Sequence, residues 1–333
     1  MAARTGLEAK SFERAASAFS DAVGGAISAD SVARITEGWG QRVEEKRAAE
    51  AAIAGLVGQR GESEEARRLE LASPISDQAN ISSDGAMALI RGEGWKEVKL
   101  TVISAVTVKP AEERGEERGR SRRGMDPLVE LSEHSYQAGL WDAETLGQRQ
   151  YAEGIRRGLD RVAKVSSVND AAVWIGRTTA LNFPKAVQVV DWGHASERLW
   201  AVSKAVFGEG TAQTKGWAEA RLDELWNGKV TDVVATLEKL DLAVERYPAE
   251  IQQAAGYFRN NQDRMRYDEY RAAGYPIGSG TAESGANSVV HDRLKRPGRG
   301  WTRGNAQAML AGLGELHSDR FEDTWQSILP TAA

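Results

Sequence analysis

The sequence predicts a mixed α/β fold: a five-stranded mixed sheet flanked by helices, with a helical region before it and an all-helical insertion within it. Three observations carry that expectation. The stretch Ile81 to Val108, ISSDGAMALIRGEGWKEVKLTVISAVTV, sets two apolar runs on either side of a glycine turn. From Arg161 onward, short β-branched runs alternate with segments of helical apolar spacing, the pattern of strands joined by crossovers. Residues 209–272 then show helical spacing throughout, in WAEARLDELW, VVATLEKLDLAV and IQQAAGYF.

In chain order, residues 1–75 are rich in Ala, Glu and Arg, and Leu7, Phe12, Ala15, Phe19 and Val23 recur at helical intervals, which predicts two or three amphipathic helices. Ser28 and Asp30 suit the start of a helix through VARITEGWGQRVEEKRAAEAAIAGLV, with Gly58 and Gly61 as its stop. The charge-dense QRGESEEARRLE reads as a solvated helix or linker. Residues 76–208 form the first part of the core. Its opening hairpin turns at Gly92 and Gly94, and Val98, Leu100, Val102 and Ile103 mark the second strand. The segment KPAEERGEERGRSRRGMDP has too many charges and glycines for a core and is expected to be an exposed loop.

A third strand is expected within Pro127 to Gly139, and a helix from Trp141 or Asp142 to about Gly158. A fourth strand follows at Arg161 to Val168, then a helix stopped by Pro184, a fifth strand at Ala186 to Val190, and a helix beginning near His194. After the insertion at 209–274, residues 275–333 return to the core. Thr281 can cap a helix running from about Ala282 to Leu294, on which Glu283, Asn287 and His291 share a face.

Composition limits the chemistry. The 333-residue chain is 41% hydrophobic, enough to bury a sizeable core, and no run reaches the roughly 18 to 20 apolar residues of a membrane helix. A cytoplasmic location without membrane partners is the expectation. With no cysteine there is no disulfide and no thiolate zinc site, so a metal would be held by oxygen or by the four histidines. A net charge of -5 does not mark a nucleic-acid binder, and contact with phosphate would come from local patches. Two such patches are Arg118, Arg120, Arg122 and Arg123, and then Arg293, Lys295, Arg296, Arg299 and Arg303 around Trp301.

Three acids stand where strands end or a helix begins: Asp84 after the first apolar run, Asp170 after VAKVSSV, and Glu283 in GSGTAESGANSV. Two strand-end carboxylates and a helix carboxylate suggest a divalent-metal site, since Mg2+ prefers oxygen ligands. Each acid also has a plainer role. Asp84 before Gly85 suits a turn, Glu283 suits the first turn of a helix, and Asp191 with His194 suits an N-cap pair. Asp191 also ends a strand, so position alone leaves Asp170 and Asp191 both open as the second acid.

The order of these pieces resembles the DDE-type transposases of bacterial insertion sequences, which are RNase H-like, and most closely the ISKra-like family. The resemblance covers about Ile81 to Trp325. It rests on the SSDG strand, on NDAAVWI with FPKAVQVVDWGHASERLW, and on GYPIGSGTAESGANSVVHDRLK with GRGW and AQAML. The chain has NDAA where the family often has GDGA. The resemblance implies that Asp84, Asp170 and Glu283 bind two Mg2+ ions, for which Mn2+ can substitute, and favours Asp170 as the second acid. It also implies that Asp191 and His194 form the Asp-x-x-His motif of related groups. It further implies DNA transposition by strand cleavage and strand transfer, with transposon ends and target DNA as partners. The active species would be a homodimer or larger assembly associated with the nucleoid.

Overall fold

The computed structural model describes residues 1–56, 67, 73–110, 126–243, 245–296 and 300–328. Its centre is a five-stranded sheet of β1 (Gln78–Ile90), β2 (Gly94–Lys109), β3 (Leu128–Gly139), β4 (Lys164–Asn169) and β5 (Val187–Val190), in the order β3-β2-β1-β4-β5. The pairs β1/β2 and β2/β3 are antiparallel, and β1/β4 and β4/β5 are parallel. The hairpin forms where glycine spacing predicted it, because the turn requires the positive φ of Gly92 (80°) and Gly94 (78°). Ile81 to Val108 thus supplies most of the two longest strands.

Three helices precede the sheet: α1 (Ala2–Glu8), α2 (Phe12–Val23) and α3 (Ala29–Ala54). Ser28 caps α3 by accepting from the Ser31 amide at 3.1 Å, as its sequence suggests. The helix ends at Ala54 with Gly55 following; the expected stop at Gly58 and Gly61, and most of QRGESEEARRLE, lie outside the described residues. The inner faces of α1 and α3 are spent on the core of the sheet. Trp39 stacks against Phe321 and Trp325, and Leu7 and Val43 join a cluster with Ala88, Val98 and Leu313.

The opposite face of the sheet, carrying Ala79, Ile81 and Ile103, is covered by α4 (Ala143–Arg156), the turn at Leu159 and α5 (Val173–Asn182) with Phe183. Asp142 caps α4 through the Thr145 amide at 2.7 Å. After β5 comes α6 (Trp192–Phe207), followed by α7 (Ala212–Trp226), α8 (Val230–Glu238), α9 (Ala249–Gln252), α10 (Ala254–Asn261) and α11 (Tyr267–Ala272). These segments share one apolar cluster with Val168, Val189 and Val190, so these helices continue the core beyond the β5 edge.

Beyond α11, three consecutive segments make α12: Gly280–Gly285 is α-helical, Ala286–His291 is π-helical and Asp292–Leu294 is α-helical. The start differs from the expected one. Ser279 precedes the helix and Thr281 lies inside its first turn, because the anchor of this turn comes from a distant acid rather than from a local cap. The chain ends with α13 (Arg303–His317) and α14 (Phe321–Ile328). Helix α13 lies so close to α3 that a Cβ on Gly40 would come within 2.1 Å of the Ala308 carbonyl. Among the described residues no helix is long and apolar enough to cross a membrane.

Candidate active site

The parallel pairing of β1 with β4 ends at Ile81 and Ser167. The strands stay side by side beyond it: the Ser82 hydroxyl donates to the Val168 carbonyl at 2.8 Å, and the Ser83 amide donates to Asn169 Oδ1 at 2.5 Å. Three residues past the last pair on each strand, Asp84 and Asp170 therefore come level. Each turns one oxygen to a neighbouring amide, Asp84 to Gly85 (2.7 Å) and Asp170 to Ala172 (2.9 Å). Both carboxylates are half-buried.

Glu283 arrives from α12, and the placement of that helix depends on Asp191. The Asp191 amide donates to the Asn169 carbonyl at 2.7 Å, fixing the end of β5 against the end of β4. Asp191 Oδ1 accepts from the His194 amide at 2.8 Å, which caps α6, and Oδ2 accepts from the Ser279 amide directly before α12. The Trp192 amide adds a bond to the Ile277 carbonyl at 2.8 Å. Helix α12 then crosses β2 and β1. A Cβ on Gly285 would stand 3.1 Å from Leu100 and 2.8 Å from Tyr136, so this crossing needs glycine. Leu100 is the cross-strand partner of Asp84, and directly paired residues share a sheet face, so α12 lies over the face that bears Asp84, with Glu283 at an exposed position in its first turn.

The electrostatics agree with this placement. The Asp84 carboxyl is pushed above its ordinary range, first by burial and then by the negative charges of Asp170 and Glu283. The Gly85 amide and the His194 charge oppose the shift. Two acids distant along the chain thus bear on Asp84, as does His194 on the first turn of α6. Among the described residues no three of His, Cys, Asp and Glu are already gathered around one metal-sized point.

Asp191 and His194 form the N-cap pair that their spacing suits. Asp191 is 4% exposed and both its oxygens accept from main-chain amides, so it serves as a tether between α6 and the turn before α12. Asp170, just past the end of β4, bears on the Asp84 carboxyl through its charge.

The expected DNA contacts divide into three groups. Arg118, Arg120, Arg122, Arg123 and Arg299 lie outside the described residues. Arg293 and Trp301 are interior, which corrects the surface role expected of them. Arg293 is 2% exposed, with its guanidinium 4.3 Å from the Phe12 ring centroid and 5.3 Å from that of Trp301. Trp301 is 8% exposed and pairs its backbone with Leu89 and Arg91 at the end of β1. Their burial follows from α1 and α2 folding back over this end of the sheet. Lys295 and Arg303 are exposed and Arg296 is half-buried; Arg303 is held by Glu93 at 2.7 Å and Arg296 by the Asp292 carbonyl at 2.8 Å.

A cavity of about 460 Å³ opens beside Asp170, lined by His194, Glu197, Arg198, Glu250 and Tyr257. The Arg198 guanidinium sits 4.2 Å from the Tyr257 centroid, and burial pushes the Tyr257 hydroxyl up to about 12. Sequence reading passed over these groups. Glu197 and Arg198 follow His194 by one helical turn and were in principle visible, whereas Tyr257 enters from α10 and has no local signal. Compared with protein-family models and with curated proteins, the chain gives no match.

Proposed function

We propose that the protein is a DDE-type DNA transposase with an RNase H-like core, which cleaves DNA strands and joins the freed end to target DNA. The observation that supports this reading is the influence of Asp170 and Glu283 on the Asp84 carboxyl: two acids past the last pair of adjacent parallel strands, and a third on a helix tethered through Asp191 that crosses the same sheet. The strand order β3-β2-β1-β4-β5, with β2 antiparallel to both neighbours, supports the RNase H-like assignment.

The donor set fits a hard cation. All three ligands would be carboxylate oxygens, the chain has no thiolate to compete, and the like charges that raise Asp84 create the local demand for positive charge. Asp84, Asp170 and Glu283 would hold two Mg2+ ions, or Mn2+ in their place, which when bound neutralise phosphate charge and activate the attacking oxygen. Asp191 orients the helix of Glu283, and the cavity beside Asp170 gives the substrate backbone room next to the acids. The DNA partners are transposon ends and target, with a homodimer or larger assembly bringing two ends together. Lys295, Arg296 and Arg303, beyond the far end of α12, supply backbone contacts.

A strand-transfer assay tests the reading, using pre-cut ends taken from DNA flanking the coding sequence and a supercoiled target. Metal-dependent joined product is expected, and Asp84→Ala should abolish it while sparing DNA binding. Metal-dependent nicking without joining would make the protein an RNase H-like nuclease. Binding without either product would make it a non-catalytic DNA-binding relative of transposases.

A further inference from the structure

Asn169, the last residue of β4, is bonded to both neighbouring strands directly before Asp170. The main-chain pairing of β1 with β4 stops at Ile81 and Ser167, while that of β4 with β5 runs on to Asn169 and Val190. Two residues past the first stop, the Ser83 amide is met by a side chain in place of a β4 carbonyl: Asn169 Oδ1 accepts from it at 2.5 Å. On the other side the Asn169 carbonyl accepts from the Asp191 amide at 2.7 Å. Each end of the Ser83–Asn169 bond is therefore followed in the chain by one of the two strand-end acids, Asp84 and Asp170.

The side chain of Asn169 has one orientation. A backbone amide only donates, so Oδ1 must face Ser83, and Nδ2 is turned to the Ser167 hydroxyl at 2.8 Å. Ser167 bonds in turn to the Thr179 hydroxyl of α5 at 3.0 Å, and Gln150 of α4 donates to the Ser83 hydroxyl at 3.2 Å. All five residues are buried, so no solvent replaces a lost partner. The rest of this sheet face is apolar: Ile81 gives way to Ser83 on β1, Ile103 to Thr101 on β2 and Val165 to Ser167 on β4. An apolar layer packs with tolerance, whereas hydrogen bonds of defined length and angle fix the offset of one strand against the next. We propose that Asn169 is a positioning residue for the acid site. Its side chain sets the level and separation of Asp84 and Asp170, and its carbonyl carries that setting to Asp191 and so to the helix of Glu283. This deepens the metal-site reading above and rests on it.

The test uses the full chain and Asn169→Leu, which keeps nearly the shape of the side chain and removes its acceptor and donor. In the metal-free protein, amide exchange followed by NMR should quicken about 10-fold at Ser83 and stay at the parent rate at Ile81, inside the ladder. Titrated with Mn2+ and followed by electron paramagnetic resonance, the parent should take up two ions with a spin-coupled signal. Asn169→Leu should bind them about 10-fold more weakly and lose the coupling. Should that variant not fold, Asn169→Ser, whose hydroxyl is one bond too short for the Ser83 amide, carries the same expectations. Thr36→Val, which removes a buried hydrogen bond of 2.7 Å within α3, should keep both the uptake and the coupling. Unchanged exchange at Ser83, coupling retained in the Asn169 variants, or an equal loss in Thr36→Val overturns the inference and leaves the metal site standing. A parent that takes up no Mn2+ overturns both.

Discussion

The carboxylate of Asp191, at the end of β5, accepts a hydrogen bond from the Ser279 amide in the turn before α12, and so fixes where Glu283 enters the sheet. Removing that carboxylate leaves the amides of Ser279 and His194 without it at a largely closed junction. Asp191→Ala should cost about 1–3 kcal/mol of stability and weaken Mg2+ binding roughly 10- to 100-fold. Calorimetric unfolding and a metal titration check both. A variant that binds Mg2+ as the parent does would show that α12 is placed by other contacts.

Asp84→Asn should stabilise the metal-free protein. The folded-state pKa of Asp84 lies above its ordinary 3.8, so its contribution to stability is present below that pH and is lost as pH rises through the folded value. At pH 7 the ionised carboxylate opposes folding, and the neutral amide should raise the melting temperature by about 2 °C. Mg2+ should raise the melting temperature of the parent and not that of the variant. Equal metal-induced shifts in the two proteins would remove Asp84 from the ligand set.

Arg293→Ala should destabilise the fold by about 3 kcal/mol and leave the DNA affinity of the folded protein within twofold, because its guanidinium is enclosed by Phe12 and Trp301. Lys295→Ala should weaken binding across DNA sequences and reduce its salt dependence by about one phosphate contact. Denaturant melts with binding isotherms at several salt concentrations separate the two. A loss of affinity in folded Arg293→Ala as large as in Lys295→Ala would contradict its interior role.

A buried ionic cluster predicts the acid limit of stability. Burial alone would raise the Glu315 carboxyl, but Arg47, Arg320 and the Thr324 hydroxyl more than reverse this and hold it at about 2, against an ordinary 4.5. The Arg47–Glu315 pair is almost wholly enclosed, with a closest approach of 2.5 Å. A carboxyl depressed in the fold stabilises above its unfolded value and loses that contribution as pH falls through its folded one. Stability worth about 3 kcal/mol should therefore disappear between pH 4.5 and 2. Glu315→Gln should flatten the melting profile across that window; an unchanged acid limb would place the loss in other groups.

The parts of this architecture that follow from local pattern were legible in the sequence. Alternation around Gly92 and Gly94 gave the hairpin, and Asp84 and Asp170 stood out because each follows an apolar run. The parts made by contacts between distant segments were not. Nothing near Asp191 reveals that Ser279 will meet its second oxygen, and Arg293 among other cations reads as surface until Phe12 folds over it. The π-helical turn was equally hidden, since ANSVVH carries no proline or unusual spacing. Glu283, Asn287 and His291 were visible as a row at steps of four, but the π-helical backbone at Ala286–His291 was not.

The juxtaposition of α3 with α13 and α14 also bears on how the chain is made. Trp39, Val43 and Arg47 find their partners in Phe321, Trp325, Leu313 and Glu315, which are synthesised later, 268 residues later for the Arg47–Glu315 pair. At roughly 5 to 20 residues per second, the earliest helices wait on the order of tens of seconds with an indole and a guanidinium uncovered. Protease sensitivity of nascent chains near residues 39–47, lost once α13 and α14 are made, is the expected consequence of closing this core with helices so distant in sequence.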